Sequence, residues 1–337
     1  MKTNTRKTIL LSLAVWTLSL CFSATALTIK LGSLAPAGSP WDKGLNKLGA
    51  EWEKLSSGSV VLKIYPGGIV GDEADMTRKM RIGQLSAAGM TGVGLGRIDP
   101  GIAAVQMPLL IQSNDELKYV LDKMKPVFSA DLEKRGFKVV IWSFVGWVHF
   151  FSKAPVVVPD DLKKQKLFVW AGDADAVQVW KESGFHVVPL TPTDIMPSLQ
   201  SGMIDAFSAT PLSAASYQWF GLAKNMCQMN WAPLIGGIVV SSSVWAKIPS
   251  ETAAKLEAAA TQIGIDMQAD ILKSDETAMA IMKQNGLVVN AVPKTSIDAW
   301  KSAVDGGITK GLLKNETKDL YETIKKYVNE YRATQKK

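Results

Sequence analysis

The chain has 337 residues, a formal net charge of +7 and an apolar fraction of 47%. Its lysines are scattered along predicted helices beside glutamates and form no basic stripe interleaved with aromatic residues, which excludes nucleic acid as a partner. The length exceeds what one hydrophobic core normally spans, so the sequence predicts two domains.

The N-terminal segment, residues 1–26, has the pattern of a secretory signal peptide. A basic start precedes an apolar run, and Ala24 and Ala26 stand at the spacing that favours cleavage after Ala26. We therefore expect a periplasmic protein. An uncleaved membrane anchor is an alternative that the serines and threonines of the run disfavour. Lipid anchoring at Cys21 is a lesser alternative, because the bulky Leu20 stands where a lipoprotein signal needs a small residue.

Strands and helices alternate through the N-terminal third of the chain. Residues 27–34 alternate as a strand, a helix begins near Trp41, SVVLKIYP is a second strand, and QLSAAGMT follows a helix that begins at Glu73. Glu73 is expected to be a structural carboxylate that complements the helix dipole, and the alternative is that its side chain faces the cleft. The glycines of residues 92–96 spell G-x-G-x-G, but the segment is predicted to continue as a loop rather than to open into a helix, which excludes a nucleotide cradle.

The centre of the chain, from Asp161 to Leu212, is predicted to be a strand-helix-strand-helix-strand unit. Its end, LQSGMIDAFSAT, shares a helix-glycine-strand pattern with the earlier segment MRIGQLSAAGMT. This repetition favours two α/β domains that offer strand ends to a shared cleft.

Two long strands are predicted to cross between the domains. KVVIWSFVGWVHFFS is longer than most strands, and PLIGGIVVSSSVW is expected to return across the same interface. A helix of some 35 residues that begins at Ser250 would reach about 50 Å, long enough to brace both lobes. We expect lobe I to comprise residues 27–148 plus about 235–265, and lobe II to comprise residues 149–234 plus about 266–337.

The sequence lacks the common signatures of catalysis and metal binding. It contains no G-x-S-x-G elbow, P-loop, H-E-x-x-H motif or Cys/His cluster. His149 and His186 are both predicted to be buried, hydrogen-bonded structural residues. Cys227 is the single cysteine left after cleavage, so we expect no internal disulfide and an apolar packing role. These observations predict a binding protein that is not an enzyme and uses no metal or cofactor.

Several segments, in chain order, resemble one family of binding proteins. They are IKLGSLAPAGSPWDKG, MPLLI, GWVHFFS, PDDLKKQKL, LQSGMIDAF, TPLS and VWAKIP. With the leader, they make the chain similar to the extracytoplasmic solute receptors of TRAP transporters, the DctP-type binding proteins. The resemblance implies an α/β, two-lobed periplasmic-binding-protein-like fold with crossing strands and a long bracing helix. It also implies a ligand in the interlobe cleft and delivery to a membrane permease driven by an ion gradient.

The sequence departs from the family where the family holds a ligand carboxylate. The family typically reads K-I-R where this chain has Lys166, Leu167 and Phe168, and the family's arginine pairs the carboxylate through two charged hydrogen bonds. The second family arginine, in G-F-R-H-F, is replaced by Val148, and the usual N-P-L begins with Thr210. A carboxylate buried without a charged partner loses its hydration without compensation, so these departures predict that small organic acids are rejected.

We therefore predict an apolar or amphipathic small-molecule ligand, because aromatic rings supply large apolar areas for binding. Aromatic, methionine and threonine side chains are expected to hold it. The predicted ligand-binding residues are Phe168, Trp170, Trp147, Thr210, Trp41, Trp231, Met90 and Met107.

Three alternatives remain at this point. Lys163, Lys164 and Lys166 would let a standard organic-acid binder replace the missing arginine from another position. A sensory or scaffold protein of the same fold would act through a protein partner and expose an apolar patch away from the cleft. A cleft enzyme would need a cluster of titratable side chains in the pocket. The expected partners are the small-molecule ligand, TRAP-type permease subunits and an accessory periplasmic protein.

Overall fold

A computed structural model of the chain describes residues 26–311 and 315–335. The predicted signal peptide, including Cys21, lies outside these ranges apart from Ala26. The strands are β1 (Leu27–Ser33), β2 (Val60–Tyr65), β3 (Ala87–Thr91), β4 (Phe137–Ser152), β5 (Leu167–Trp170), β6 (Val187–Leu190), β7 (Ala206–Ala209), β8 (Asn225–Gln228), β9 (Ala232–Ser241) and β10 (Val288–Ala291).

Helices connect these strands. They are α1 (Pro40–Leu55), α2 (Glu73–Arg81), α3 (Gly92–Ile98), α4 (Asn114–Lys134), α5 (Pro159–Lys163), α6 (Ala174–Glu182), α7 (Ile195–Ser201), α8 (Pro211–Ser216), α9 (Ser242–Trp245), α10 (Ser250–Gln284), α11 (Lys294–Gly311) and α12 (Asn315–Thr334). Short 3₁₀ helices lie at Pro100–Gln106, Pro192–Asp194 and Trp219–Gly221. Within the described ranges, no helix combines the length and apolar character that crossing a membrane requires.

The strands form one mixed sheet in two halves, which confirms the α/β class. In the first half the order is β2-β1-β3-β9-β4, with β1 parallel to both β2 and β3. In the second half β4 continues into the order β4-β7-β5-β6, and β8 pairs with β4 and β10. We use lobe I for the first half with its helices and lobe II for the second half with its helices.

The long strand β4 crosses between the lobes, as its length predicts, whereas among the described residues β9 pairs only with strands of lobe I. β4 has 16 residues, and its part up to Val148 pairs antiparallel with β9, whereas the part from His149 pairs with β7. The register shifts between Phe144 and Gly146, where β4 bulges. The side chain of Gln268 on α10 binds the backbone there: its Oε1 accepts from the Phe144 N–H at 2.6 Å and its Nε2 donates to the Phe144 carbonyl at 3.0 Å.

Each lobe has a hydrophobic core on both faces of its part of the sheet. In lobe I, one core contains residues of α2, α4 and α12, and the other contains residues of α1 and α10. In lobe II, consecutive residues of β4 point to opposite faces, as the pleat requires. Phe150 stacks on Trp300 at 5.4 Å between ring centroids on one face, and Phe151 stacks on Phe207 at 5.2 Å on the other.

The long helix α10 contacts both lobes, as predicted. Its 35 residues begin at Ser250. In lobe I its Met267 packs so closely on α1 that a Cβ at Gly44 would approach within 2.6 Å. Toward lobe II, Asp275 accepts a hydrogen bond from the Leu212 N–H at 2.9 Å, at the start of α8, and burial raises the pKa of this carboxyl to about 6.

Two segments differ from the sequence prediction in their position or conformation. The C-terminal helix α12 packs on α4 in lobe I, where Ile324 and Val328 join the core and Arg332 pairs with Glu116 at 2.5 Å, whereas the sequence placed it in lobe II. The glycine segment is helix α3 rather than a loop, because Thr91 caps it and its glycines allow close packing. A Cβ at Gly94 would lie 2.5 Å from Glu73 Oε2.

His149 and Cys227 are buried, whereas His186 is exposed. His149 is buried at the point where β4 passes from one lobe to the other, and burial lowers its pKa to about 4. Cys227 is buried in the lobe II core, as predicted, and burial raises its thiol pKa to about 12. The prediction of a buried His186 is wrong, because the residue is exposed. Its backbone carbonyl accepts a hydrogen bond from the Leu167 N–H.

Candidate functional site

A cavity of about 180 Å³ lies between the lobes. Lobe I contributes the start of α1 and the end of β3, and lobe II contributes β5, the end of β7 and α8. This is the edge at which the sequence predicted that strand ends meet. Aromatic side chains form much of the wall, and they are Trp41, Phe168, Trp170, Tyr217 and Trp219.

Five of the eight predicted ligand-binding residues border this cavity. They are Trp41, Met90, Phe168, Trp170 and Thr210. Phe168 and Trp170 are alternate residues of β5 and so point to the same face of the sheet. Phe168 is almost fully buried, with 6% of its surface exposed. This part of β5 is thus an apolar wall of the cavity.

Thr210 borders the cavity but its hydroxyl is used by the protein. The Thr210 side chain caps α8: its Oγ1 accepts from the Ser213 N–H at 3.2 Å and donates to Ser213 Oγ at 2.9 Å. The residue is fully buried. Its contribution to the wall is therefore mainly its methyl group and its role in fixing the start of α8.

Trp41 presents an unused hydrogen-bond donor. It lies in the first turn of α1, where Ser39 accepts from the Asp42 N–H. The indole Nε1 of Trp41 is buried, and it has no acceptor among the described residues. Because a buried N–H without an acceptor is destabilising, this atom favours a ligand that brings an acceptor.

The other three predicted residues lie elsewhere. The indole of Trp147 donates to Asn114 Oδ1 at 2.8 Å and packs edge-on against Phe144, at the lobe I side of β4. Met107 and Trp231 border a second interlobe cavity of about 180 Å³, which shares only Leu234 with the first. Trp231 is also part of the lobe II core, where its ring contacts Phe150.

Glu73 is the only charged side chain that borders the first cavity within the described residues. The carboxylate is buried and held by Thr91, which donates its backbone N–H to Oε1 at 2.6 Å and its hydroxyl to Oε2 at 2.8 Å. Burial raises the pKa of Glu73 to about 7, against the opposing effect of these hydrogen bonds. The sequence favoured a structural carboxylate at this helix start and left a cleft-facing side chain as the alternative; Glu73 is held by hydrogen bonds and also borders the cavity.

Tyr217 was also missed by the sequence reasoning. It follows α8 in lobe II, and its hydroxyl donates to the backbone carbonyl of Leu34 in lobe I. Its ring stacks on Trp219 with centroids 4.5 Å apart. Burial, and to a lesser extent the charge of Glu73, raises the pKa of this phenol. Tyr217 therefore joins the two lobes directly at the edge of the cavity.

The lysines considered as replacements for arginine do not border the cavity. Lys166 donates to the Gly202 carbonyl and lies 3.6 Å from Asp205, and Lys163 lies 3.3 Å from Asp160. These lysines thus pair with residues of their own lobe. In the described part of the chain, no group of three or more His, Cys, Asp or Glu side chains could hold a metal ion.

The chain matches the family model of bacterial extracellular solute-binding proteins, family 7 (DctP), over residues 31–312. The chain belongs to this family. DctP-type proteins are the extracytoplasmic receptors of TRAP transporters, which bind small molecules and deliver them to a membrane permease, so this chain is a solute-binding receptor of that type.

Two curated DctP-type relatives cover most of the chain. It is 24% identical over 283 residues to the sialic acid-binding periplasmic protein SiaP of Vibrio cholerae, and the aligned region covers 83% of this chain and 88% of that protein. It is 25% identical over 246 residues to a solute-binding protein of Roseobacter denitrificans, and the aligned region covers 71% of this chain and 74% of the relative.

Solved TRAP receptors share the two-lobed fold. A TRAP periplasmic solute-binding protein from Xanthobacter autotrophicus, with bound β-D-galacturonate, superposes with a TM-score of 0.82 at 20% identity, covering 88% of this chain and 99% of that one. A protein from Fusobacterium nucleatum, with bound sn-glycerol-3-phosphate, superposes with a TM-score of 0.83 at 20% identity, covering 93% and 100%. At this level of identity the likeness establishes the fold of the DctP-type receptor.

Proposed function

We propose that this chain is a TRAP receptor for an apolar or amphipathic small molecule that brings no carboxylate into the interlobe cavity. The observation that carries the proposal is the charge of the wall. Among the residues that border the cavity, no arginine, lysine or histidine is present, and Phe168 stands where the family typically has its arginine. The solved relatives hold acids such as β-D-galacturonate, which such a wall would not neutralise.

The aromatic wall supplies an apolar driving force in place of the charged pair. Each aromatic ring can bury about 150 to 250 Å², and burial of apolar area contributes about 25 cal/mol per Å². Even partial contact with Trp41, Phe168 and Trp170 would therefore contribute several kcal/mol. An acid would have to overcome both the loss of its hydration and the repulsion of Glu73.

The proposal includes a route to the periplasm. Residues 1–26 act as a cleaved signal peptide, and the mature chain begins at Leu27, the first residue of β1. Intact-mass measurement of the protein from the periplasmic fraction tests this step. A mass that corresponds to a chain starting at Leu27 supports it, and a chain that retains residues 1–26 or carries a lipid at Cys21 contradicts it.

Calorimetric titration of the mature protein tests the ligand class. The probes are succinate and D-glucuronate as acids, and uncharged aromatic and aliphatic alcohols of similar size. We expect no measurable binding of the acids and measurable binding within the uncharged set. Micromolar binding of either acid would contradict the proposal. Recovery of the ligand chemically unchanged after incubation separates a receptor from a cleft enzyme.

A further inference from the structure

The walls of the first interlobe cavity combine aromatic rings with a single carboxylate. Trp41 comes from lobe I, and Phe168, Trp170, Tyr217 and Trp219 come from lobe II, so the rings border the cavity from both sides. Aromatic faces carry negative electrostatic potential and attract ammonium groups, and cages of such rings are a common way to recognise quaternary ammonium ions.

The charge of the cavity has one sign. Glu73 is its only charged neighbour within the described residues, and no cation borders the cavity to balance it. Asp72, which caps α2, adds to the negative potential. From lobe II, the Tyr217 phenol interacts with the Glu73 charge, and this phenol is uncharged. In a site that excludes water, this arrangement favours a positive ligand over an uncharged ligand of the same shape.

The hydrogen-bonding capacity of the wall adds a second requirement. Both oxygens of Glu73 accept hydrogen bonds from Thr91, and a fully alkylated ammonium group has no N–H to donate, so the carboxylate acts on such a group through its charge. Trp41 supplies a buried N–H without an acceptor beside the same cavity. A matching ligand therefore carries an acceptor oxygen, such as a hydroxyl, in addition to its apolar and charged parts.

Resting on the function proposed above, we propose that the ligand is an organic cation, with an alkylated ammonium group among the aromatic rings, Glu73 as its counter-charge and an oxygen that accepts from Trp41. A cavity of about 180 Å³ suits a molecule of the size of choline. Such a molecule is amphipathic, because its methyl groups cover the charge with apolar surface.

Choline and its uncharged isostere 3,3-dimethylbutan-1-ol provide the direct test. The two molecules have nearly the same shape and the same hydroxyl, so a difference in affinity reports the charge. By titration calorimetry of the mature protein at pH 7, we expect choline, or another member of a trimethylammonium alcohol series, to bind at least about tenfold more tightly than its isostere. If no member of the series exceeds its isostere, the cation proposal is wrong.

A variant isolates the part played by Glu73. Glu73→Gln keeps the size of the side chain and a counterpart for each Thr91 hydrogen bond, and we expect it to remove most of the preference for the cation over the isostere. Glu251→Gln, at an exposed site on α10, is the matched control and should leave both affinities unchanged. An undiminished preference in Glu73→Gln would contradict the assignment of the counter-charge.

Proton release gives a readout that does not depend on the stability of a variant. Because burial raises the pKa of Glu73 to about 7, part of the empty protein holds the proton at pH 7, and a bound cation would displace it. Titrations in buffers of different ionisation enthalpy should show net proton release when the cation binds and none when the isostere binds. Equal proton exchange for both would overturn the counter-charge. Preferential binding of the isostere leaves the proposed function intact, whereas preferential binding of succinate or D-glucuronate overturns both proposals.

Discussion

The buried carboxyl of Glu73 links the stability of the protein to pH. Burial raises its pKa from 4.5 to about 7, so between these values the folded protein holds a proton that the unfolded chain has released. A raised carboxyl pKa gives stability that is complete at low pH and is lost as the pH rises. At about 1.4 kcal/mol for each unit of pKa shift, the loss across this window amounts to about 3 kcal/mol.

Glu73→Gln should remove this loss. The amide oxygen can accept from the Thr91 N–H and the amide nitrogen can donate to the Thr91 hydroxyl, so both existing contacts have a counterpart. We expect the free energy of unfolding of the variant, relative to the unchanged protein, to rise by about 3 kcal/mol between about pH 4 and pH 8. His149 and Asp275 also titrate in this range, but they are present in both proteins and cancel in the difference.

Urea unfolding followed by tryptophan fluorescence at several pH values measures this difference without added ligand. Glu251→Gln is the control, because Glu251 is exposed and pairs with Lys255 at 2.8 Å, and its difference from the unchanged protein should vary little over the same range. A difference for Glu73→Gln that is constant with pH would refute the claim that a desolvated carboxyl borders the cavity.

Three further substitutions test the geometry of the site. Phe168→Arg should weaken binding of the native ligand by at least about tenfold in calorimetry, because arginine places charge in an apolar wall. Phe168→Leu should weaken binding less. Unchanged affinity in Phe168→Arg would mean that Phe168 does not contact the ligand. Tyr217→Phe removes the hydrogen bond to the Leu34 carbonyl that joins the lobes. Ligand affinity should fall by about three- to tenfold, which is the effect of one hydrogen bond. Unchanged affinity would mean that this hydrogen bond does not stabilise the arrangement of the lobes that binds the ligand. Gly94→Ala should destabilise the protein by about 1 to 3 kcal/mol in thermal unfolding, because the new methyl group would meet Glu73. Gly96→Ala in the same helix has free space and should leave the stability unchanged. Similar melting temperatures for the two variants would contradict the packing of Glu73.

The parts of the fold that depend on local pattern were predictable. The unusual length of β4 and the continuous helical pattern of α10 each indicated an element that spans two lobes, and the structure has both. The two successive ring stacks at Phe150 and Phe151 show why β4 lacks the alternation of a half-exposed strand, since both of its faces are buried in lobe II.

The errors arose where a distant contact decided the outcome. The α3 glycines look like a loop in sequence, but they permit a helix to pack against Glu73, which lies some twenty positions earlier in the chain. Helix α12 is amphipathic, which predicts that it packs on a core but does not say which one. Its assignment to lobe I follows from Arg332 and Glu116, whose pairing is not visible in the sequence.

The candidate site was predictable to the extent that its residues share a strand or a recognisable motif. Phe168 and Trp170 follow from the period of β5 and from the family's position for arginine. Tyr217 lies in the turn after α8 and Trp219 begins a 3₁₀ helix of three residues, so neither belongs to an element long enough for a sequence period to assign a direction to its side chain. Trp147 was expected at the site, but it does not border the first cavity, and its indole donates to Asn114 on α4.

Native mass spectrometry of the mature protein, isolated from its own periplasm without added ligand, tests the central claim most directly. We expect a bound small molecule that has no carboxylate and carries apolar surface, and release followed by fragmentation would identify it. A tightly bound sugar acid or dicarboxylate would contradict the account, because the cavity bordered by Phe168 and Glu73 offers such a ligand no cation.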